Sequence, residues 1–332
     1  MKKIIVDLLG ADHSEEELLD GALAACAEDS TLSLILVGSE NLTEETLRAR
    51  GADLSRMELL TATDAITGED APMSVVRGRE GASMAIAFSA LKDREDAAAL
   101  VSAGNTGAML IASLFRLGLV PGVRRPALAT ALLTTGGERV CLLDCGANVD
   151  CRPELLEGFA YLGAAFSAAE CGKEKPRVGL FSVGKEEHKG NAVTHEVYDV
   201  LKKSNLNFIG NVEGYDVFSG DVDVVVCDGF VGNAILKVAE SVGKGAAAHM
   251  AAYLRGKAED SVVTEAAANT YRMFDYNTEG GAVMLGTKKV VLKAHGAATA
   301  PTLRACILEA KALADADLPG KITALLGKSS AR

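Results

Sequence analysis

Short apolar runs alternate with helical patterns along this sequence, and many of the runs end in a small polar loop that contains glycine. Five such loops recur: LLGADHS (8–14), SAGNTGA (102–108), DCGANVDC (144–151), VGKEEHKGN (183–191) and CDGFVGN (227–233). In an open α/β sheet, loops at the carboxyl ends of parallel strands collect in one crevice. We therefore predict an α/β fold with a mainly parallel sheet covered by helices on both faces.

The apolar runs and the helical periodicity give an element order for most of the chain. Strands are predicted at 2–9, 31–38, 97–104, 127–133, 139–146, 176–184, 222–229 and 288–296, and helices at 14–28, 41–51, 105–118, 154–170, 191–203, 235–258 and 300–316. Ser14 with Glu17 predicts one helix start, and Pro153 predicts another. A more polar, alanine-rich stretch predicts a protruding helical hairpin at about 245–275.

Length, charge and cysteine content narrow the class of protein. No linker composition interrupts the 332 residues, so a single domain spanning 1–332 is predicted. The formal charge of −11 argues against nucleic-acid binding, which needs a basic surface. No signal precedes the first strand, no apolar run reaches the ~18 residues of a spanning helix, and an odd number of cysteines favours a reducing compartment. We therefore expect a cytoplasmic protein.

The SAGNTGA loop carries groups suited to an anion such as phosphate. Gly104 lets the backbone approach a ligand, while Ser102, Asn105 and Thr106 can hydrogen-bond it at the start of a helix. A glycine turn with an Asn or Thr helix cap explains the same residues equally well. The loop therefore predicts either an anion site or a cap.

Two further loops add candidate side chains. Asp228 and Asn233 surround the glycines of CDGFVGN, although an Asn at that place can simply cap a helix. In VGKEEHKGN, a lysine can neutralise phosphate or stabilise a developing oxyanion. Lys185 fits a solvated loop lysine, and Lys189 is the stronger candidate.

Histidine and cysteine spacing predicts no metal site. The cysteines at 141, 145 and 151 lack the paired CxxC pattern of zinc sites, and the five histidines are spread too widely to form a cluster. Buried reduced thiols account for such cysteines. His13 follows the first strand and can face the crevice, although a histidine in such a place is more often hydrogen-bonded to backbone groups.

Nine motifs, taken in chain order, resemble the acyl-carrier-protein phosphate acyltransferase family, called PlsX. They are VSAGNTGA (101–108), RPALA (125–129), DCGANVDCRPELL (144–156), KPRVGLF (175–181), EEHKGN (186–191), NFIGNVEG (207–214), VDVVVCDGFVGN (222–233), FDYNTEGGAVMLG (274–286) and HG (295–296). The resemblance spans nearly the whole chain, and it depends on the order and spacing of all nine motifs together.

The resemblance implies an enzyme that moves a fatty acyl group from acyl-carrier protein to inorganic phosphate, giving acyl-phosphate for phospholipid synthesis without a cofactor. It implies a three-layer fold similar to phosphate acetyltransferases and isocitrate-type dehydrogenases. It also implies a homodimer at the membrane surface, with a glycerol-3-phosphate acyltransferase downstream. By motif, Lys189 and Asn233 match catalytic positions. The expected phosphate or substrate contacts are Ser102, Gly104, Asn105, Thr106, Asn148, Asp228, Gly229 and His13.

Two segments depart from the family pattern. The family's first loop reads DAMGGDxxP, whereas this chain has DLLGADHSE at 7–15, with Ala11 in place of a glycine and no proline. If that glycine needed a positive φ, alanine would strain or reshape the loop. The arm at 252–273 carries few large apolar residues, which argues against strong interfacial membrane binding.

Three other functions stay open at this point. A phosphate acetyl- or butyryltransferase that uses coenzyme A would have the same fold. A non-catalytic protein that binds acyl-carrier protein or acyl-phosphate would explain the altered first loop. A dehydrogenase is least favoured, because the one GxGxx[GA] match, at 243–248, lies inside helical sequence.

Overall fold

The computed structural model describes residues 2–275 and 280–329. In these residues the strands are β1 (Lys3–Asp7), β2 (Leu34–Gly38), β3 (Met57–Thr61), β4 (Ala97–Ser102), β5 (Ala127–Leu133), β6 (Arg139–Leu143), β7 (Arg177–Phe181), β8 (Asn207–Val212), β9 (Val224–Val226), β10 (Ala282–Leu285) and β11 (Val290–Lys293). The α-helices are α1 (Glu15–Glu28), α2 (Glu44–Ala49), α3 (Ser83–Asp93), α4 (Thr106–Ala112), α5 (Pro153–Glu170), α6 (Ala192–Lys202), α7 (Gly229–Leu254), α8 (Asp260–Arg272), α9 (Ala300–Asp315) and α10 (Leu318–Ser329).

The pattern of backbone contacts divides the chain into two compact units. Unit 1 lies within Met1–Pro126 and Glu279–Gly327, and unit 2 lies within Ala127–Thr278 and Lys328–Arg332. The single domain expected from the sequence stays a prediction. The motif at 274–286 is described only in part, because 276–279 lie outside the described residues.

Unit 1 is built on strands in the order β3-β2-β1-β4-β11-β10. The pairs β1–β2, β2–β3, β1–β4 and β4–β11 are parallel, and β10–β11 is antiparallel. Strands β2 and β11 are buried along their whole length, as expected for strands covered on both faces. The predicted start of α1 is confirmed, because the Ser14 hydroxyl accepts a hydrogen bond from Glu17 N at 3.3 Å.

Unit 2 is built on strands in the order β5-β6-β9-β7-β8. Only β5–β6 is antiparallel among its pairs in the described residues, and the Gly136–Gly137 turn joins those two strands. The three valines of β9 are fully buried, which confirms the strand predicted from them. Pro153 opens α5 at its first position, also as predicted.

The hairpin expected at about 245–275 corresponds to the second half of α7 and to α8, two helices that pack against each other. A Cβ added to Gly243 of α7 would lie 2.4 Å from Phe274 Cβ, so the absence of a side chain there allows this close packing. Helix α8 has no buried residue. No helix within 2–275 and 280–329 combines the length and apolar character needed to cross a bilayer.

The fold class predicted from the sequence is confirmed, because most strand pairs are parallel and helices connect them. One predicted boundary is wrong. The helix that follows Asp228, α7, begins at Gly229 rather than at 235, because Asp228 is its N-cap. No element was predicted for the stretches that contain strands β3, β8 and β10 and helices α3 and α10.

Candidate active site

The carboxyl end of β4 in unit 1 is fixed by a buried pair of side chains. Ser102 Oγ donates to Asp7 Oδ2 at 2.8 Å and accepts from Gly104 N at 3.1 Å. Both Asp7 and Ser102 are fully buried. Burial raises the pKa of Asp7 to about 6, although hydrogen bonds from Ser83, Ser102 and Leu9 N oppose the rise. Ser102 therefore holds the base of the SAGNTGA loop.

Asn105 both caps α4 and ties it to a neighbouring loop. Its Oδ1 accepts from Ala108 N at 3.0 Å, and its Nδ2 donates to Thr67 O at 2.8 Å and to Asp70 O at 3.2 Å. Thr106 is exposed at the first position of α4. The structure shows the helix cap, which is one of the two interpretations of this loop. The N–H groups at the first positions of α4 have no hydrogen-bond acceptor within the helix.

The first loop of unit 1 accommodates the alanine that departs from the family pattern. The positive φ in this loop falls on Gly10, at 79°, and Ala11 is not among the residues with positive φ. A Cβ on Gly10 would lie 3.6 Å from Gly104 Cα, so the first loop and the SAGNTGA loop are in contact. His13 is exposed in the same loop.

In unit 2, the loop after β6 is organised by the buried carboxylate of Asp144. Its Oδ1 accepts from Leu128 N at 2.8 Å and Ala147 N at 3.1 Å, and its Oδ2 accepts from Asn148 N at 2.6 Å and Asn148 Nδ2 at 2.9 Å. Burial raises the pKa of Asp144, and the four hydrogen bonds act in the opposite direction. Asn148 is thus held in place by the same carboxylate at two points.

The start of α7 is bonded to this loop. Gly229 N donates to Asn148 O at 2.8 Å, and Asp228 Oδ1 accepts from Val231 N at 2.8 Å as the helix cap. Asn233 is exposed one turn later and lies beside Gly146, where an added Cβ would be 3.6 Å from Asn233 Cβ. The structure therefore brings Asn148, Gly229 and Asn233 together.

The two lysines after β7 have different surroundings. Lys185 Nζ donates to the buried Asp216 Oδ1 at 2.8 Å, and this hydrogen bond raises the pKa of Lys185. Lys189 is exposed and makes no ion pair with the part of the chain that the structure describes. Its ammonium group is available for an anionic ligand.

A cavity of about 420 Å³ lies in unit 2 at the carboxyl ends of β7 and β9. The first turns of α6 and α7 line it, together with the residues that precede α5. Asp228 is the one candidate residue from the sequence that lines this cavity. Gly190, which follows Lys189, and Asn191, which caps α6, also line it.

Asp7, Asp144 and Ser182 were not among the predicted site residues. Each stands at the end of a strand, and the two aspartates precede glycine loops. Their signal was a carboxylate directly after an apolar run. Such a carboxylate is either exposed to solvent, or buried and hydrogen-bonded by the loop that follows it. Only tertiary packing decides between these two environments.

Solved structures of similar fold define the fold class of this chain. A phosphotransacetylase from Streptococcus pyogenes matches with a TM-score of 0.61 at 18% identity, covering 94% of both chains. The EutD phosphotransacetylase from Staphylococcus aureus matches with a TM-score of 0.60 at 17% identity, covering 95% of this chain and 94% of that one. The fold is therefore the phosphotransacetylase-like α/β fold.

Sequence relatives place the chain more closely. A model of the family described as fatty acid synthesis protein matches residues 2–321. The phosphate acyltransferase of Thermoanaerobacter pseudethanolicus is 40% identical over 324 residues, covering 95% of each chain, and that of Nostoc sp. is 39% identical over 319 residues, covering 94% and 93%. The chain belongs to the fatty acid synthesis protein family. The predictions of family and of an enzyme of the phosphate acyltransferase class are confirmed.

Proposed function

We propose that this protein transfers a fatty acyl group from acyl-carrier protein to inorganic phosphate, giving acyl-phosphate for phospholipid synthesis. The observation that carries the proposal is the match to phosphate acyltransferases along about 95% of both chains. The exposed Lys189, with no ion pair among the described residues, supplies a cation suited to this chemistry.

The reaction needs position more than strong acid or base catalysis. A phosphate oxygen attacks the thioester carbonyl, the C–O bond forms and the C–S bond breaks. The phosphate proton leaves with the thiolate, a leaving group whose conjugate thiol has a pKa of about 8.5. Since inorganic phosphate is already anionic near neutral pH, its attack depends on orientation and on stabilisation of the tetrahedral oxyanion.

Lys189 and Asn233 are the proposed catalytic residues. A lysine ammonium and an asparagine amide can both donate to phosphate or to the oxyanion. The exposure of both side chains fits groups that meet a ligand rather than the core. Asp144 supports Asn233 indirectly, because it fixes the loop containing Gly146 against which Asn233 lies.

The other predicted site residues fall into two groups. Asn148, Asp228 and Gly229 shape the surroundings of Asn233 in unit 2. Thr106 and the backbone at Gly104 in unit 1 are proposed to bind phosphate, with Ser102 and Asn105 holding that loop and His13 near its neighbour. That both groups serve one phosphate stays a prediction.

The test is acyl-phosphate formation from acyl-[acyl-carrier protein] and phosphate by purified protein. Lys189→Ala and Asn233→Ala should each lower kcat by about 100-fold or more, because a donor to developing charge is lost. Lys185→Ala is the matched control: it removes the ion pair with Asp216, so it should lower stability and keep kcat within about threefold. Unchanged turnover in Lys189→Ala would contradict the assigned role.

The choice of donor separates the remaining functions. A higher kcat/KM with acyl-coenzyme A than with acyl-carrier protein would favour a coenzyme A-dependent transferase. Tight binding of acyl-carrier protein without turnover would favour a non-catalytic binding protein. The proposal further includes a cytoplasmic homodimer with at most weak membrane contact, whose product passes to a glycerol-3-phosphate acyltransferase.

A further inference from the structure

The cavity in unit 2 has a mixed lining that is informative about its ligand. More than half of its wall is apolar, from side chains on β7, the loop after it and three helices: Leu156, Leu180, Phe181, Val183, Val193 and Val231. Its volume of about 420 Å³ lies in the range of ligand pockets. An entirely apolar ligand would leave the polar part of the wall without partners.

The charges around this cavity disfavour an anion. Asp150 and Asp228 line it, and no lysine or arginine is among its lining residues. The helix starts that border it are already capped: Asp228 Oδ1 accepts from Val231 N, and Asn191 Oδ1 accepts from Thr194 N at 3.0 Å. Each cap takes one of the first N–H groups of its helix, as Asn105 does at α4, so it is the two carboxylates and the absence of a lysine or arginine from the lining that disfavour an anion.

A buried hydroxyl in the wall indicates that the ligand carries hydrogen-bonding groups. Ser182 is 6% exposed, and its Oγ has no hydrogen-bond partner. Gly190 has a φ of 121°, and an added Cβ there would lie 2.1 Å from Thr194 Oγ1 and 3.1 Å from Ser182 Oγ, so a side chain at this position would collide with α6 and crowd the hydroxyl. Buried hydroxyls are normally paired, and a ligand amide can supply the partner.

We propose that this cavity binds the pantetheine arm of the thioester donor, a neutral chain of methylene groups and amides. This inference rests on the proposed function and deepens it by assigning the donor side of the site. Gly190 in the cavity wall follows Lys189 in the chain, so the arm would run beside the loop that carries the proposed catalytic lysine. Acyl-carrier protein and coenzyme A share this arm, and both are used in the test.

The test fills the cavity with a larger side chain. Val193, in the first turn of α6, lines the cavity, whereas Val200 lies on the same helix outside it and is 37% exposed. Val193→Phe should raise the KM for the acyl donor about tenfold or more and leave the KM for phosphate within about twofold. Val200→Phe is the matched control and should keep both values.

Binding is measured separately from turnover, by calorimetric titration with holo-acyl-carrier protein, apo-acyl-carrier protein and coenzyme A. The wild type should bind the holo form more tightly than the apo form, which lacks the arm, and Val193→Phe should abolish the difference. Ser182→Ala, which removes one hydroxyl and needs no extra space, should weaken holo binding severalfold. Coenzyme A binding that competes with the holo form would identify the shared arm as the ligand.

Three results would overturn the inference: equal binding of holo and apo forms by the wild type, an unchanged donor KM in a folded Val193→Phe, or a raised KM for phosphate alone. The two proposals fail separately. Arm-dependent binding that Val193→Phe abolishes, without any acyl-phosphate formation, would remove the proposed reaction and keep the site. Turnover with no effect of Val193→Phe would do the reverse.

Discussion

The buried carboxyl of Asp7 predicts a specific dependence of stability on pH. Asp7 is fully buried beneath the SAGNTGA loop, and burial raises its pKa from 3.8 to about 6. A rise of that size means that folding disfavours the ionised form of Asp7, relative to its protonated form, by about 3 kcal/mol. The carboxylate is therefore a source of instability at neutral pH that the rest of unit 1 offsets.

The sign of this pH dependence follows from which state, folded or unfolded, ionises Asp7 at the lower pH. The unfolded chain ionises Asp7 near pH 3.8, whereas the folded protein keeps the proton up to about pH 6. Between these values the unfolded state binds fewer protons, so raising the pH favours unfolding. The contribution of Asp7 to stability is fully present below pH 3.8 and is lost as the pH rises through 6.

The perturbation is Asp7→Asn, which keeps the shape of the side chain and an acceptor for Ser102. The free energy of unfolding is measured by urea denaturation between pH 4 and 7.5. Relative to the variant, the wild type should lose about 2.5 kcal/mol over this interval, because a small part of the total is already lost at pH 4. Asp12→Asn changes an exposed carboxylate five residues later and is the control, expected to follow the wild type. Parallel curves for Asp7→Asn and wild type would refute the reasoning.

Two further substitutions test the packing around the candidate site. Gly232→Ala would place a Cβ 2.0 Å from the backbone oxygen of Asp144 and should lower the free energy of unfolding, measured by urea denaturation, by about 1–3 kcal/mol. Gly245→Ala, on the same helix, meets open space and should raise it by roughly 0.5–1 kcal/mol. An unchanged stability of Gly232→Ala would contradict this reasoning. Asn105→Ala should lower the free energy of unfolding by about 1 kcal/mol and raise the KM for phosphate. Thr43→Ala removes the cap of α2 and should lower stability by a similar amount with an unchanged KM. Equal KM values for the two variants would count against a phosphate site at the SAGNTGA loop.

The sequence was most informative where local chemistry decides the structure. Ser14 and Pro153 begin helices as predicted, because capping and a fixed φ act within one turn. The GxGxx[GA] match at 243–248 lies inside α7, as its helical surroundings indicated. The start of α7 was placed too late, because glycines at 229 and 232 are typical of a loop. Their role is close packing against the segment at 144–148, which sequence does not reveal.

For the candidate site, the sequence supplied the residues and the structure separated their roles. Lys185 and Lys189 are four positions apart in one loop, and only the fold pairs Lys185 with the buried Asp216. Asn105 and Asp228 could be read as ligands or as caps, and the structure shows the caps. The cavity at 420 Å³ had no sequence signal, because its wall comes from separate strands and helices.

Patterns along the chain specify the alternation of strand, loop and helix, and with it the α/β class and the family, because periodicity, capping residues and motif order are properties of neighbours in sequence. Which polar groups are buried depends on tertiary packing. Asp7, Asp144 and Ser182 stand at strand ends, where side chains are often exposed, and their desolvation comes from elements far away in sequence. Burial depends on the whole packed fold, and so do the pKa of a carboxyl and the chemistry of a cavity.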